Sequence, residues 1–496
     1  MNVQFMTQAK NEPRLQTTRR RVTTALAAML VASLAACAVG PDYQAPQTAP
    51  VTLHNVDSTQ VVASSYEARW WTQFGDATLD TLIARAAAGN LDLKQAQARV
   101  AAARAAVGEA HSDLLPTINT DASYTRSRLE QPGFTDQRVG ISEYKGGFDA
   151  SWELDVFGGI RRSVESARAQ SQASVENLRD AQVRVIAEVA RNYFELRGTQ
   201  LRLDIASRDL DTQYQTLKLT QVRRDIGSGL DQDVASAAAR LATTQAQIPL
   251  LVAAEDRSKY RLAVLLGVRP GELDIDLSSK SFSPLSHALA IGAPGDVLAR
   301  RPDVRAAERR LASATANIGI AQADFYPHVE VGGFIGFLSG SSADIGSVAS
   351  HGFSIGPSIS WNGLNYERVA SRLHERKADA DGALADYHQT VLLALEDVEG
   401  SLSSFNQQRL RTDHVIEEAQ QSRRAADLAG IRYREGATDF LTLLDAQRTA
   451  LAAEDDLAQA ETAINTSAIA VYKALGGGWE ACGDQECSQL AAAGAP

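Results

Sequence analysis

The sequence has 496 residues, of which 44% are hydrophobic, and this length suffices for several ordinary domains or for one elongated one. Its formal net charge of −11 argues against a protein that binds nucleic acids or anionic lipids. No internal run reaches the ~18 apolar residues that a transmembrane helix needs.

The N terminus has the features of a secretory signal. Three arginines precede a short apolar run, 22–36, which ends in small residues. Cys37 follows at the point of cleavage, and LAAC resembles the bacterial lipobox, in which this cysteine becomes the lipidated first residue. We therefore expect a cleaved signal peptide at 1–36 and a lipid-anchored, palmitate-bearing extended segment at 37–75. An ordinary signal with a chance cysteine is the alternative.

After this segment the chain repeats itself. The stretch LDLKQAQARVAAARAAVGEAHSDLLP aligns with PDVRAAERRLASATANIGIAQADFYP, and their final prolines, Pro116 and Pro327, coincide. The order of predicted elements is the same in both halves. We expect a first structural repeat at 76–285, a second at 286–478 and a C-terminal tail at 479–496.

Each repeat contains a very long helix, at 161–226 and at 368–435, followed by a glycine and a second helix that returns. Apolar residues recur with heptad-like spacing in both, which predicts coiled-coil packing. These residues are Val189, Leu196, Leu203, Leu210 and Leu217 in the first, and Val391, Leu395, Val398, Leu402 and Phe405 in the second. About 65 helical residues reach about 100 Å, which is longer than a compact globule needs.

Four segments of the chain alternate apolar and polar residues and are predicted as strands. They lie at 117–126, 148–156, 329–337 and 353–361, in two hairpins at about 117–156 and 328–361, with connecting loops at about 129–142 and 339–350. In FDASWELDVFGG (148–159), one face is apolar and the other is acidic.

The two faces of these strands predict a membrane barrel. The polar faces carry carboxylates and the ends carry Tyr124, Trp152 and Trp361, which suits lipid outside and water inside. A soluble sheet packed on helices is the alternative. Four strands cannot close a barrel, and an open edge in lipid leaves backbone groups unpaired. Several chains must therefore share one barrel, with eight strands from two chains or twelve from three.

Cys482 and Cys487 are the remaining cysteines. An exported chain meets an oxidising compartment, so CGDQEC can close a small disulfide loop. A zinc site is the weaker interpretation, because no histidine lies nearby and two thiols do not complete a tetrahedral site. No cofactor is expected.

Three stretches resemble a known family. RPDVRAAERRLASATANIGIAQADFYP (301–327), RYREGATDFLTLLDAQR (432–448) and YKALGGGW (472–479) look like signatures of the TolC-type outer membrane factors, in their lipoprotein (NodT/OprM-like) branch. The resemblance implies an α+β membrane protein and a homotrimer. Each chain would contribute four strands to a twelve-stranded transmembrane β-barrel, and long coiled-coil helices would form a periplasmic tunnel.

The same resemblance implies a function in tripartite efflux or type I-like export. The trimer would be a passive conduit in the bacterial outer membrane that carries drugs or other small molecules to the exterior. Its partners would be a periplasmic adaptor (membrane fusion protein), an inner-membrane pump of the RND type and outer-membrane lipid. No nucleic acid is implied.

The resemblance also places a periplasmic gate beside the helical tips at Gly229 and Gly436. Leu441, Thr442 and Asp445 would form the constriction, and three copies of Asp445 would make an acidic ring. Thr442 stands where some members have another aspartate, so fewer gate charges are expected. An ordinary solvated carboxylate is the alternative for Asp445.

Tyr433 matches a tyrosine that ties neighbouring helices together in some members. Its arginine partner is expected to be absent, because Thr438 occupies that position in this chain.

Other functions remain as alternatives. GFSIG (352–356) matches G-x-S-x-G, but that motif needs a sharp strand-to-helix turn, and here the alternation continues to Trp361. We therefore expect Ser354 to face the lumen from a strand and the chain not to be an enzyme. A secreted hydrolase that uses Ser354 is the weakest alternative. A periplasmic coiled-coil lipoprotein that acts as an adaptor or scaffold, without a barrel, is a stronger one.

Overall fold

The computed structural model describes residues 38–46, 52–55, 61–62, 67–131, 135–280, 282, 284–285, 288–292 and 297–482. The predicted signal peptide, the predicted lipidation site Cys37 and Cys487 of the predicted disulfide lie outside the described residues. The side chain of Cys482 lies outside them too.

Helices dominate the described chain. They are α1 Ala77–Gly89, α2 Leu91–Ser112, α3 Gly159–Asp225, α4 Asp231–Leu265, α5 Val297–Arg300, α6 Pro302–Ala323, α7 Tyr366–Arg434 and α8 Phe440–Ala474. The strands are β1 Val61–Val62, β2 Thr117–Gln131, β3 Thr135–Leu154, β4 Leu289–Ala290, β5 His328–Ser339 and β6 His351–Ser360. Each half therefore contains two helices, two long strands, one very long helix (α3 or α7) and a returning helix of 35 residues (α4 or α8). The two long helices and the four strands that the sequence predicts are confirmed.

The chain divides into two compact units, each drawn from separate stretches of sequence. The first comprises the described residues within Met1–Pro46, Ala102–Ser171 and Arg309–Ala385, and the second those within Gln47–Ala101, Gln172–Glu308 and Asp386–Pro496. The first unit contains a four-stranded sheet. The second contains the largest hydrophobic core and the turns between the long helices.

The sheet of the first unit is antiparallel, in the order β2-β3-β5-β6. The two hairpins join through β3 and β5, where Phe148 pairs with Ile335. Within the described residues, β2 and β6 are edge strands with one ladder partner each. An open edge presents unpaired N–H and C=O groups, and natural sheets cover or close such edges.

The first hairpin is longer than the sequence predicts. The predicted loop at 129–142 is mostly strand, because β2 continues to Gln131 and β3 begins at Thr135. Beyond Tyr124 the apolar side of the strand carries Arg126 and Arg128, so the alternation that reveals a strand stops there. The ladder continues without it, since backbone hydrogen bonds do not depend on side-chain polarity. The loop predicted at 339–350 contains two short 3-10 helices, Ser342–Asp344 and Val348–Ser350.

One face of the sheet is apolar and open to the surroundings. Phe353 is 82% exposed, and neighbouring side chains on this face are also exposed. They include Ile118, Phe148, Ile335, Ile355 and Ile359. Large exposed apolar patches on a protein mark a surface that another apolar phase covers. The opposite face carries Asp121, Asp149 and Glu153, as the alternation predicts.

Two tryptophans attach the sheet to the helices that precede each hairpin. The indole N–H of Trp152 donates to the carbonyl oxygen of Leu114 at 3.0 Å. The indole N–H of Trp361 donates to the carbonyl oxygen of Phe325, also at 3.0 Å. The same contact therefore occurs once in each half of the chain.

The first described residues are held against the start of α3. The Val39 N–H donates to the Phe157 carbonyl at 3.0 Å. The Arg162 guanidinium is almost fully buried and donates to the carbonyls of Val39 and Gly40 and, at 2.7 Å, to Asp42. The segment that directly follows Cys37 is thus fixed to the first unit.

The second unit is built on a core of helices. Trp70, Tyr193, Phe194 and Tyr472 are almost completely buried, and the Trp70 and Tyr472 rings stack 5.2 Å apart. The helices described here contain no stretch of 18 residues that is apolar enough to cross a membrane.

The predicted heptad seams are only partly correct. In α7, Val398, Leu402 and Phe405 are fully buried, as predicted, but Val391 and Leu395 are half-buried. In α3, Val189 and Leu196 are buried, but Leu203, Leu210 and Leu217 are half-buried. The buried positions there move to Ala206, Gln213 and Thr220. A straight helix has 3.6 residues per turn and drifts away from a seven-residue repeat, and two of the new positions are polar.

Candidate functional site

The turns between the long helices lie in the second unit, at the positions where the sequence predicts the gate. After α3, Gly227 adopts the left-handed conformation with φ of 75°. Its N–H donates to the Arg224 carbonyl, and the Ser228 N–H donates to the Arg223 carbonyl. This is the pattern of a glycine-terminated helix.

The turn after α7 repeats this geometry. Gly436 has φ of 74°, its N–H donates to the Tyr433 carbonyl, and the Ala437 N–H donates to the Arg432 carbonyl. Gly436 is therefore the counterpart of Gly227, which lies two residues before Gly229, the glycine that the sequence predicts as the first tip. Gly229 still requires glycine, because a Cβ there would lie 2.9 Å from the Arg224 backbone nitrogen.

Tyr433 sits in a small packed cluster between the two turns. Its ring is buried, and the Phe440 ring lies 5.8 Å away. Leu443 and Ala237 complete the contact. Burial raises the pKa of the Tyr433 hydroxyl above its ordinary value, so the phenol stays neutral.

An arginine from a distant part of the chain contacts Tyr433, while Thr438 occupies the position where the resemblance places the arginine partner. The Arg223 guanidinium lies 4.6 Å from the centre of the Tyr433 ring, and its Nη1 donates to the Tyr433 carbonyl at 2.6 Å. Arg223 belongs to the end of α3, and Tyr433 to the end of α7. The contact therefore joins the two helix ends within one chain, and sequence neighbours of Tyr433 could not reveal it.

The other predicted gate residues line a concavity beside this cluster. Leu441, Thr442 and Asp445 share a cavity of about 780 Å³ between α7 and α8. Tyr433 does not line it, so the structure brings together three of the four predicted residues. Leu441 is 57% exposed at this concavity.

The sequence misses a second carboxylate in this cavity. Asp439 precedes α8, and its Oδ1 accepts the Thr442 N–H at 2.7 Å. This backbone hydrogen bond lowers the pKa of the Asp439 carboxyl, which stays ionised as a helix cap. The signal was available, because an aspartate before an apolar helix start predicts an N-cap.

Asp445 forms an ion pair with an arginine of the same helix. Arg448 lies one turn further along α8 and donates to Asp445 Oδ1 at 2.7 Å. Both side chains are largely exposed, so the pair contributes about 0–1 kcal/mol of stability. The arginine nevertheless offsets part of the negative charge that Asp445 presents to the cavity.

Ser354 lies within β6, where it pairs with Phe334 of β5. A straight strand does not provide the strained turn of a nucleophile elbow. The described residues also contain no cluster of three or more potential metal ligands.

Known proteins resemble this chain over most of its length. The family model described as outer membrane efflux protein matches residues 82–268 and 293–477. The pyoverdine export outer membrane protein OpmQ of Pseudomonas putida is 32% identical over 420 residues, which cover 83% of this chain and 88% of that protein. The toluene efflux pump outer membrane protein TtgF of Pseudomonas putida is 31% identical over 474 residues, covering 92% and 97%. Among solved structures, the outer-membrane channel OprN has a TM-score of 0.86 and 46% identity, covering 90% of this chain and 100% of that one.

Proposed function

Since the chain belongs to the outer membrane efflux protein family, we propose that three copies form a passive conduit that closes at its helix turns. The protein is an outer membrane efflux channel of a tripartite system, and its fold is that of trimeric channels with four strands per chain in a twelve-stranded barrel. Its partners are a periplasmic adaptor and an inner-membrane pump. The alternative of an adaptor without a barrel is not supported.

One observation carries the proposal for the working unit. The four-stranded sheet exposes a broad apolar face and leaves both edges open within the described residues. In lipid each unpaired backbone group costs several kcal/mol, and the open edges of one chain can pair with those of its neighbours. The two halves, which we propose are structural repeats at 76–285 and 286–478, each supply one hairpin.

We propose that the gate consists of a contact between two helix ends and an adjacent cavity lined by carboxylates. Arg223 and Tyr433 hold the two helix ends of one chain together, while Leu441, Thr442, Asp439 and Asp445 face the cavity beside them. Three chains would bring three such cavities around one axis. The carboxylates would then attract cations, and Leu441 would narrow the opening.

The turn after α3 offers a docking surface for the adaptor. Ile226 is 72% exposed and Leu230 is 64% exposed, on either side of the glycine turn. Such apolar side chains at a turn suit the apolar contacts of a helical partner. An RND-type, proton-driven pump is the proposed third component, in line with the lipoprotein-branch motifs at 301–327 and 432–448.

We propose that the cargo consists of small organic molecules. OpmQ is named for pyoverdine export and TtgF for toluene efflux, and these two molecules differ greatly in size and polarity. A passive conduit tolerates such a range, because discrimination then rests with the pump. No catalytic step is proposed.

We also propose that the mature chain carries a lipid on Cys37. Residues 38–42, which follow this cysteine directly, are fixed to the start of α3 by Arg162. This clamp would hold the acylated end beside the sheet and shorten the free tether. A Cys37→Ser variant that leaves the protein without acyl chains in a mass spectrum supports the assignment, and an unchanged acylated mass contradicts it.

Deleting the gene for this protein in its bacterium tests the export function. We expect a fluorescent amphiphilic dye to accumulate in the deletion strain and the original chain to restore low accumulation. Collapsing the proton gradient should remove the difference between the strains, whereas depleting ATP at constant proton gradient should not. Equal accumulation with and without the chain would contradict efflux. Sensitivity to ATP alone would contradict an RND-type pump while leaving the channel intact.

A further inference from the structure

The lipid-facing side of the first hairpin ends in arginines. On β2, Ile118 and Tyr124 belong to the exposed apolar face. Alternate residues of a strand share a face, so Arg126 and Arg128 continue this face towards the hairpin end. Arg138 of β3 adjoins Val139, which pairs with Leu129 beside Arg128, at the point where the register of the ladder shifts.

These arginines lie just beyond an aromatic pair. The Tyr124 and Tyr144 rings are 4.5 Å apart, and Tyr144 is the first residue of β3, in chain order, that pairs with β5. From Trp152 to Tyr144 the strand rises about 27 Å, or about 21 Å at a tilt of about 40°, close to the ~25 Å apolar band of membrane barrels. Arg126 and Arg128 lie about 7 and 14 Å further along the strand. This is the level at which lipid head groups replace hydrocarbon.

The three guanidinium groups have no ion-pair partner among the described side chains. Arg126, Arg128 and Arg138 are all exposed, and each lacks a hydrogen bond or ion pair to another described residue. Glu130 and Asp136 belong to the same hairpin, and their side chains lie outside the described residues. The net charge of −11 argues against anionic lipid as a partner of the whole chain. The net charge of the chain does not determine binding at these three arginines, because salt screens charges that lie further away than about 8–10 Å.

We propose that Arg126, Arg128 and Arg138 bind the phosphate groups of the outer leaflet's glycolipid, lipopolysaccharide. A guanidinium group matches two phosphate oxygens with a planar pair of N–H donors, which an ammonium group does not. The hairpin would hold one head group per chain while the acyl chains lie against the adjoining part of the apolar face, which includes Phe148. The proposal rests on the membrane orientation of the sheet and not on the gate.

Lipopolysaccharide binding to the purified trimer in detergent tests this proposal. Native mass spectra would count the bound lipid on the wild type, on R126Q/R128Q/R138Q and on the control R104Q/R168Q/R424Q. The control removes the same charge from exposed helical positions. A cationic side chain near an anionic lipid surface contributes about a fivefold gain in affinity. We therefore expect binding to weaken on the order of 100-fold in the strand variant and to stay at the wild-type level in the control.

The nature of the ligand is tested on the wild type alone, which needs no folded variant. Enzymatically dephosphorylated lipopolysaccharide should bind the wild type on the order of 100-fold more weakly than the intact lipid does. Inorganic phosphate should not displace the intact lipid. Equal loss in both arginine variants, equal binding of the dephosphorylated lipid, or displacement by inorganic phosphate would each overturn the proposal. R126K/R128K/R138K should bind at an intermediate level, because it keeps the charge without the planar donor pair.

Discussion

Replacing Arg223 with alanine removes the side-chain contact that joins the ends of α3 and α7. Arg223 donates a hydrogen bond of 2.6 Å to the Tyr433 carbonyl and lies over the Tyr433 ring at 4.6 Å. If this contact holds the channel closed, Arg223→Ala shifts the purified trimer towards its open state. The expected result is a larger mean conductance in planar lipid bilayers.

The size of the effect follows from the two parts of the contact. A hydrogen bond from a charged donor contributes about 1.5–3 kcal/mol, and a partly exposed cation–π contact about 0.5–1 kcal/mol. Since the helix turns are near water, we take about 2 kcal/mol for the pair, the low end of that range. This corresponds to roughly a 30-fold rise in the open-to-closed ratio per chain. Three chains carry the contact, so each chain of the trimer shifts towards the open state by this factor.

The neighbouring Arg224 supplies a matched control. Its guanidinium group pairs with the adjacent Asp225 at 2.6 Å and does not contact the second turn. Arg224→Ala removes the same charge from the same helix end and should leave the conductance at the wild-type level. Tyr433→Phe should do so too, because the accepting carbonyl and the ring remain. If the Arg223→Ala trimer conducts no more than the Arg224→Ala trimer, the Arg223–Tyr433 contact does not hold the channel closed.

Three further changes test other parts of the account. Asp445→Ala should raise the conductance and reduce the cation preference measured as a reversal potential in a salt gradient, and the absence of both effects removes Asp445 from the gate. Burial raises the pKa of the half-buried Glu461 carboxyl in the folded protein. The folded protein therefore loses stability as the pH rises through this pKa and the carboxyl ionises. Glu461→Gln should therefore raise the melting temperature at pH 7 and not at pH 4, and an equal shift at both pH values rejects this reasoning. Trp152→Phe removes the hydrogen bond to the Leu114 carbonyl and should destabilise the trimer by about 1 kcal/mol. Trp361→Phe should match it, and thermal melts that leave either variant at the wild-type temperature contradict the role of the indole N–H groups.

Local patterns in the sequence predict much of this fold. Alternation over ten residues revealed each strand, since one face of the sheet is apolar along its whole membrane-facing length. The long helices were recognisable for a similar reason, and glycine marked their ends. The hydrophobic pattern fails where the surroundings of a strand or helix change along its length. At Arg126 the apolar face gives way to cations, so the strand was predicted to end five residues too early. In α3 the buried seam continues through Gln213 and Thr220, which a search for apolar residues does not detect.

The candidate gate was only partly predictable, because its contacts join distant stretches of chain. The motif at 432–448 led to Leu441, Thr442 and Asp445, which do share one cavity. Arg223 lies more than two hundred residues before Tyr433, and no local pattern links them. The sequence places the first tip at Gly229 and not at Gly227, because RDIGSGLD contains two glycines and REGATD only one. The backbone conformation of Gly227 decides between them.

The mass of the native assembly tests the central claim, that several chains must together close the barrel. Protein extracted from the outer membrane in mild detergent, without heating, should appear in native mass spectrometry as three copies of the mature chain and should fall apart to single chains on boiling. A single chain that stays folded and monodisperse without detergent would contradict a barrel shared between chains, and with it the channel.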